Sequence, residues 1–329
     1  MNRRRFFGLA AGLGTGVWLA GRAAALPPEL RRCERTCPAL GTHVSLTAYH
    51  EDAAVAELAI EEAFRALDRI ENVLSLHRPE SDLCRLNRDG HLDRPHPDLV
   101  RVLGEALDWA GRTEGAFDPT VQPLWNLYAR REPGTPRPTA AEVEAARRRV
   151  DWRRCEVRLD RIRLGPGQSV TLNGIAQGFA ADRVRNVLRA HGIRHALADT
   201  GEFAVLGRKP DGTAWRAGIQ HPRLREAYVA LADLDDRFLA TSGDYEAAFS
   251  DDFSSHHIFD PATGRSPSRL ASVTVLAPTG LEADALSTAM FVLGPGPALE
   301  LAARRKGVDA LLVLKSGEVV KTPNFPEVA

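Results

Sequence analysis

The chain has 329 residues, 44% of them hydrophobic and 26% charged, with 43 Lys and Arg against 43 Asp and Glu and four cysteines. Such a composition supplies enough apolar side chain for a core and excludes a disordered chain, a fibre and a multi-span membrane protein. Zero net charge offers no basic field to gather affinity for nucleic acid, so no nucleic-acid partner is expected.

The balance is the sum of two unlike parts. Residues 1–25 hold Arg3, Arg4, Arg5 and Arg22 and no acid, which leaves 39 basic against 43 acidic side chains in the remainder. Arg3-Arg4-Arg5-Phe6-Phe7 opens a Gly- and Ala-rich apolar run to Ala20, followed by Ala23-Ala24-Ala25 before Leu26-Pro27-Pro28. A charged start, an apolar middle and a small-residue exit make a signal peptide. The run is about fifteen residues and broken by glycines, short of the roughly twenty that cross a bilayer, so no integral membrane protein is expected after signal removal. The Arg-Arg-x-Phe-Phe pattern resembles a twin-arginine signal, which sends folded proteins to the periplasm. The expected division is a signal over 1–25, a charged linker over 26–38 and a single domain over 39–329. Four cysteines do not make a disulfide framework. Cys33 and Cys37 are near enough in sequence for a local bridge, and Cys84 and Cys155 read as buried apolar side chains.

Alternation in His43 to Tyr49 predicts a strand with Val44, Leu46 and Ala48 inward. Ile60, Phe64, Leu67, Ile70 and Leu74 recur at helical steps, as do Leu99, Leu103, Leu107 and Ala110 after Pro97. A Pro- and Gly-rich loop over Glu132 to Pro138 precedes Thr139-Ala140-Ala141-Glu142, a capping box that starts another helix. A helix is expected from Ile175 to His191. Strands are expected near His195 to Ala198, Phe203 to Leu206, Trp215 to Ile219, Ala227 to Leu231, Ser272 to Leu276 and Asp309 to Leu314, with helices at Leu281 to Leu293 and Ala298 to Lys306. Hairpin-linked strands interrupted by helices predict an α+β fold, mixed and largely antiparallel, rather than a doubly wound parallel sheet.

Four stretches carry chemistry. In Ala283-Asp284-Ala285-Leu286-Ser287-Thr288, a helix would put Asp284 and Thr288 on one face, offering a carboxylate and a hydroxyl to a hard cation such as Mg²⁺. An Asp near a helix start more often serves the helix dipole, and spacing alone leaves both readings open. Ala240-Thr241-Ser242-Gly243-Asp244-Tyr245 and Asp260-Pro261-Ala262-Thr263-Gly264 read as turns around His256 and His257, either of which could act as a base or bond to the turns. Gly174 and Gly178, in Thr171-Leu172-Asn173-Gly174-Ile175-Ala176-Gln177-Gly178, allow close backbone approach at a helix entry, to a ligand or to another helix. Gly115-Ala116-Phe117-Asp118-Pro119-Thr120 reads as a rigid loop.

Together and in this order, with Gly41-Thr42, Ser81-Asp82-Leu83 and Leu86-Asn87, these motifs resemble the ApbE family of FAD:protein FMN transferases over nearly the whole mature chain. The resemblance implies an ApbE-like two-lobed catalytic unit. It implies cleavage of FAD, as substrate, at its pyrophosphate, attachment of FMN through a phosphoester to a threonine or serine of a target flavoprotein, and release of AMP. Asp284, Thr288 and the backbone at Gly174 would hold Mg²⁺, and His257 would be the base. Leu40, His77, Ala116, Phe117, Asp118, Thr171, Gln177 and Ile258 fall where the family contacts FAD. The family most often has Asp at the place of Thr171, Gly at Asn173, Lys or Glu at Gln177, Met at Leu40 and Tyr at His77. A Thr lacks the charge and second oxygen of a carboxylate, so Thr171 puts that FAD contact in question. The exported branch points to an acceptor flavoprotein of an exported or membrane redox system. Two rival readings remain: a periplasmic FAD pyrophosphatase giving FMN and AMP, and a non-catalytic FAD-binding or carrier protein.

Overall fold

The computed structural model describes residues 30–129 and 137–328; the signal assigned to 1–25 and most of the loop at 132–138 lie outside them. The described chain begins with β1 (Arg31–Ala39), which pairs antiparallel with β2 (Thr42–His50) from Arg31↔His50 to Ala39↔Thr42. The charged linker expected over 26–38 is therefore a strand from residue 31 onward. Its Arg and Glu side chains hid it from a hydrophobic pattern, and they suit an edge strand, where charge discourages pairing with another chain. Leu40 and Gly41 both have positive φ, 54° and 74°, the geometry of a two-residue hairpin turn that follows the strand twist.

Helix α1 (Ala53–Leu74) starts at Asp52, whose side chain accepts from the Ala54 N–H, and buries Ile60, Leu67, Ile70 and Leu74 as their spacing predicts. Next come α2 (Asp82–Asp89), β3 (His91–Asp93) and α3 (Pro97–Arg112), then a 3₁₀ turn, Pro119–Val121, that runs into α4 (Gln122–Ala129). The Thr139–Glu142 capping box forms and opens α5 (Ala140–Arg147). After β4 (Glu156–Val157) and β5 (Arg161–Arg163) the chain enters α6 (Ala176–Ala190). Strands β6 (His195–Asp199), β7 (Phe203–Leu206), β8 (Trp215–Gln220), β9 (Tyr228–Leu234), β10 (Phe238–Gly243) and β11 (Leu270–Ala277) lead to α7 (Gly280–Leu293) and α8 (Pro295–Ala303). Strands β12 (Asp309–Leu314) and β13 (Val319–Lys321) follow.

Eight strands form one antiparallel sheet in the order β1-β2-β6-β7-β10-β11-β12-β13, which meets the α+β expectation. One face carries the main core, in which α1, α6 and α7 lie side by side over Val44, Leu46, Ala198, Ala240 and Val273. The β8–β9 hairpin covers the other face, packing Trp215, Ile219 and Leu234 on Val205, Leu239, Leu276 and Leu311. Strand β11 is sandwiched between the two and is buried along its whole length. A smaller core of Leu124, Val143, Ala146 and Phe259 joins α4 and α5 to the segment after the histidines.

Two readings change. Thr241-Ser242-Gly243, taken as turn chemistry, closes β10, because its hydroxyls face α7 and Thr274 rather than their own backbone; the turn begins at Asp244. Cys33 and Cys37 sit four residues apart along β1. An extended strand spaces them by roughly 13 Å, well beyond the about 7 Å that a disulfide tolerates, so the local bridge is ruled out while β1 is paired.

Candidate active site

The site grows from the crossing of α6 and α7. Gly178 and Gly280 meet there without side chains: a Cβ on Gly178 would lie 2.1 Å from the Gly280 carbonyl oxygen, and one on Gly280 would lie 2.3 Å from that of Gly178. At this separation the helices exchange caps. The Ile175 side chain gives α6 no cap, but Asp284 Oδ2 on α7 accepts from the Gly178 N–H at 2.9 Å. In return Asp182 on α6 accepts from the Gly280 and Leu281 N–H groups, both at 3.0 Å. Each carboxylate meets the positive end of the other helix.

Asp284 is 3% exposed, and Thr288 follows it by one turn on α7. Gly174 lies directly against that turn: a Cβ there would be 2.8 Å from Thr288 Oγ1 and 3.3 Å from the Phe117 ring. Thus the three residues proposed from sequence as Mg²⁺ ligands, Gly174, Asp284 and Thr288, converge, with Phe117 packed beside them. Ser242 and Ser287 complete the surroundings, the Ser242 hydroxyl lying 2.7 Å from that of Ser287 and 3.2 Å from that of Thr288.

Burial pushes the Asp284 carboxyl up to about 7. Buried Glu202, which accepts from the Thr241 N–H at 3.1 Å, is pushed well above the usual range by burial and then by Asp284 and Asp199. Asp199 is raised to about 6, again by burial. None of the three has a basic ion-pair partner among the described residues, so these carboxyls lack a counter-charge that a hard cation would supply. Among the described residues no three His, Cys, Asp or Glu side chains gather as a complete metal cage. A carboxylate, a hydroxyl and an accessible backbone fit Mg²⁺, which keeps several positions for water and phosphate.

His257 stands at the end of a loop anchored by Asp244. That carboxylate, fully buried, accepts from both Arg223 Nη atoms at 2.7 Å and pairs with Lys315 Nζ at 3.1 Å. Lys315 also donates to the Phe253 carbonyl, and Arg223 lies over the Phe253 ring. The His257 backbone N–H donates to the Ala247 carbonyl at 3.0 Å. Its ring is pushed down to about 4 by burial and then by neighbouring His256, so it is neutral at neutral pH, and its Nδ1 has no hydrogen-bond partner. His256 Nε2 faces the Pro267 carbonyl at 3.1 Å and must donate there, which makes His256 a structural histidine.

The remaining candidates divide. Phe117 and Ile258 are buried in the main core, and the Gln177 amide lies over Gly201, where a Cβ would be 2.7 Å from its nitrogen. Asp118 spends its carboxylate on the chain: Oδ1 accepts from Thr120 N and Oγ1 at 2.7 Å each, and Oδ2 from Trp152 N at 3.2 Å. The Thr171 N–H donates to the Pro119 carbonyl at 2.8 Å, and its hydroxyl accepts from Asn173 N, so Thr171 ties its loop to that of Asp118. Asn87 clamps the same segment, with both ends of its amide bonded to the Val170 backbone at 2.7 and 2.8 Å. Ala116 and Asp118 also line an open cleft of about 1040 Å³ walled by Arg112, Trp152, Asp260 and Arg304, whereas Asp284, Thr288 and His257 do not. Leu40 is half-buried at the β1–β2 turn, and His77 is exposed, its only described hydrogen bond running from the backbone N–H to Ser75 Oγ. Sequence reasoning gave no role to Asp182, Asp199 or Glu202. The last two flank the β6–β7 turn, and acids set between two apolar strands were the available signal.

A profile of the ApbE family matches residues 40–312. The chain is 34% identical over 276 residues to the FAD:protein FMN transferase of Salmonella typhimurium, covering 79% of this chain and 78% of that one. Its structure is similar to that of the ApbE protein of Thermotoga maritima, with a TM-score of 0.81 at 27% identity over 89% of this chain and 97% of the other. It is also similar to the apo flavinyl transferase ApbE of Pseudomonas stutzeri, with a TM-score of 0.77 at 33% identity over 89% and 95%. The ordered motifs, the antiparallel sheet with its α6–α7 crossing and these likenesses agree, and the chain belongs to the ApbE family.

Proposed function

We propose that the FMN transfer from FAD to protein that this chain catalyses requires Mg²⁺, ends on a threonine or serine hydroxyl of an exported flavoprotein, and releases AMP. The observation that carries the reading is the convergence of Gly174, Asp284 and Thr288, with Asp284, Glu202 and Asp199 all lacking a basic ion-pair partner among the described residues. Asp284, Thr288 and the Gly174 backbone would hold the ion. An ion held there would supply the positive charge that offsets the pyrophosphate of FAD and the charge that develops on the AMP phosphate. The N-terminal end of α6, capped only from α7, adds its dipole at the same point.

The rest falls to this chain's own side chains. His257, half-buried and kept neutral by the desolvation of its ring, accepts the proton of the incoming hydroxyl at a ring nitrogen. That oxygen forms the new bond to the FMN phosphorus as the bond to the AMP phosphate breaks. Asp244 holds the loop that carries His257, and Asn87 and Thr171 hold the segment leading to Gly174. With Thr171 in place of the usual Asp and its hydroxyl already bonded to Asn173, FAD recognition is shifted to other contacts.

The signal read at 1–25 gives the location, the periplasm, and the acceptor class, a flavoprotein of an exported or membrane redox system. Among the described residues no helix is long and apolar enough to cross a membrane. Purified chain incubated with FAD, Mg²⁺ and a flavoprotein bearing an acceptor threonine is expected to give FMN on that threonine by mass spectrometry. Free FMN with no adduct would make the chain a pyrophosphatase, and bound FAD with no AMP would make it a carrier.

A further inference from the structure

Four oxygens join β10 to α7 in single file. Ser242 Oγ lies 3.2 Å from Thr288 Oγ1 and 2.7 Å from Ser287 Oγ, and the Ser287 hydroxyl donates to the Asp284 carbonyl at 2.9 Å. A hydroxyl has one proton to give. The proton of Ser287 goes to a carbonyl, which can only accept, so Ser287 Oγ meets Ser242 as an acceptor. Ser242 donates there and has nothing left for Thr288. Between Ser242 and Thr288 the donor is therefore Thr288, and the file runs Thr288 to Ser242 to Ser287 to the Asp284 carbonyl.

A helical threonine commonly turns its hydroxyl back onto the carbonyl four residues earlier, which here is that of Asp284. Ser287, fully buried, takes that acceptor instead. The Thr288 proton is drawn toward β10, which leaves the lone pairs on Oγ1 to other partners, and the absence of a side chain at Gly174, where a Cβ would lie 2.8 Å from this oxygen, keeps that side open. We propose that Ser242 and Ser287 are positioning residues that hold the Thr288 hydroxyl as a lone-pair donor to a divalent cation. The proposal rests on the reading that Asp284 and Thr288 hold Mg²⁺.

The test titrates Mg²⁺ alone into the full chain and its variants by calorimetry, with circular dichroism melts to establish that each variant is folded. Ser242→Ala is expected to weaken Mg²⁺ binding about ten-fold, the lower end of the range for a group that orients a ligand, and Ser242→Thr, which keeps a hydroxyl, to restore it. Ser287→Ala, which removes a hydroxyl that bonds to Ser242 and the Asp284 carbonyl rather than to Thr288 Oγ1, is expected to weaken binding as well, because the Ser242 proton is released to compete for Thr288 Oγ1. The double variant should bind no more weakly than Ser242→Ala, since both changes break one file. Additive losses would instead mean separate packing effects and would overturn the relay. If Thr288→Ala loses Mg²⁺ while Ser242→Ala binds as wild type, the relay is wrong and the metal reading stands. If Thr288→Ala also binds as wild type, or the wild type takes up no Mg²⁺, the metal reading fails and the relay with it.

Discussion

Asp284 has two tasks that a single substitution separates. Its oxygen caps α6 through the Gly178 N–H, and its carboxyl, whose pKa burial raises to about 7, has no basic partner among the described residues. Asp284→Asn keeps an oxygen for the cap and removes the charge. The variant is expected to melt close to wild type while AMP release from FAD falls at least about a hundred-fold, the several kcal/mol that a metal ion contributes to charge stabilisation. Turnover at the wild-type rate would show that the ion is held elsewhere. His257 makes a different prediction. Its folded pKa of about 4 lies below that of the free side chain, so the unfolded state takes up the proton first. The stability tied to this ring is complete above about pH 6.5 and is lost as pH falls toward 4. Replacing it by His257→Gln should cut transfer by about 10²- to 10⁴-fold and make the melting temperature less sensitive to acid between pH 6.5 and 4. An unchanged acid dependence would mean that the ring is not buried neutral.

At the level of elements, the α6–α7 crossing sets the geometry of the site. Gly178→Ala would drive a methyl group into the Gly280 carbonyl, and the helices must part. A loss of at least about 1–3 kcal/mol, the usual cost of overpacking, is expected in chemical denaturation, together with weaker Mg²⁺ binding. A variant of wild-type stability would mean that the crossing is looser than described. The helices themselves were legible: the three- and four-residue steps of α1 and α3 survive because each buries a single stripe, α7 is an apolar run buried nearly all round, and the capping box of α5 is local chemistry. Strand β1 was not, since its Arg and Glu side chains carry no apolar alternation at a sheet edge. Strand β10 was missed because Thr-Ser-Gly also reads as a turn, and only α7 behind it explains the hydroxyls. The exchanged caps Asp182 and Asp284 join residues about a hundred positions apart, and no local rule reports such pairs. Asp118 shows the converse: its motif was legible, but its carboxylate is consumed by Thr120 and Trp152.

Across the whole molecule, the site draws on residues from Phe117 to Thr288, carried by a loop, two helices and a sheet whose order departs from the chain order. Such a site exists only when the domain is folded, which suits export through a route that accepts folded proteins. Changing Arg3 and Arg4 to Lys should leave the protein in the cytoplasmic fraction, and unchanged periplasmic recovery would contradict the twin-arginine reading. The mild acidity of the chain after residue 25 leaves the anionic pyrophosphate to be managed locally, at the α6–α7 crossing. The central claim is that this crossing passes FMN from FAD to a protein hydroxyl, and intact-protein and peptide mass spectrometry of an acceptor flavoprotein tests it most directly. With FAD and Mg²⁺ the account predicts a gain of one FMN on a threonine or serine of the acceptor, matched by AMP, with wild type and neither with Asp284→Asn. AMP and free FMN from wild type with an unmodified acceptor would contradict it.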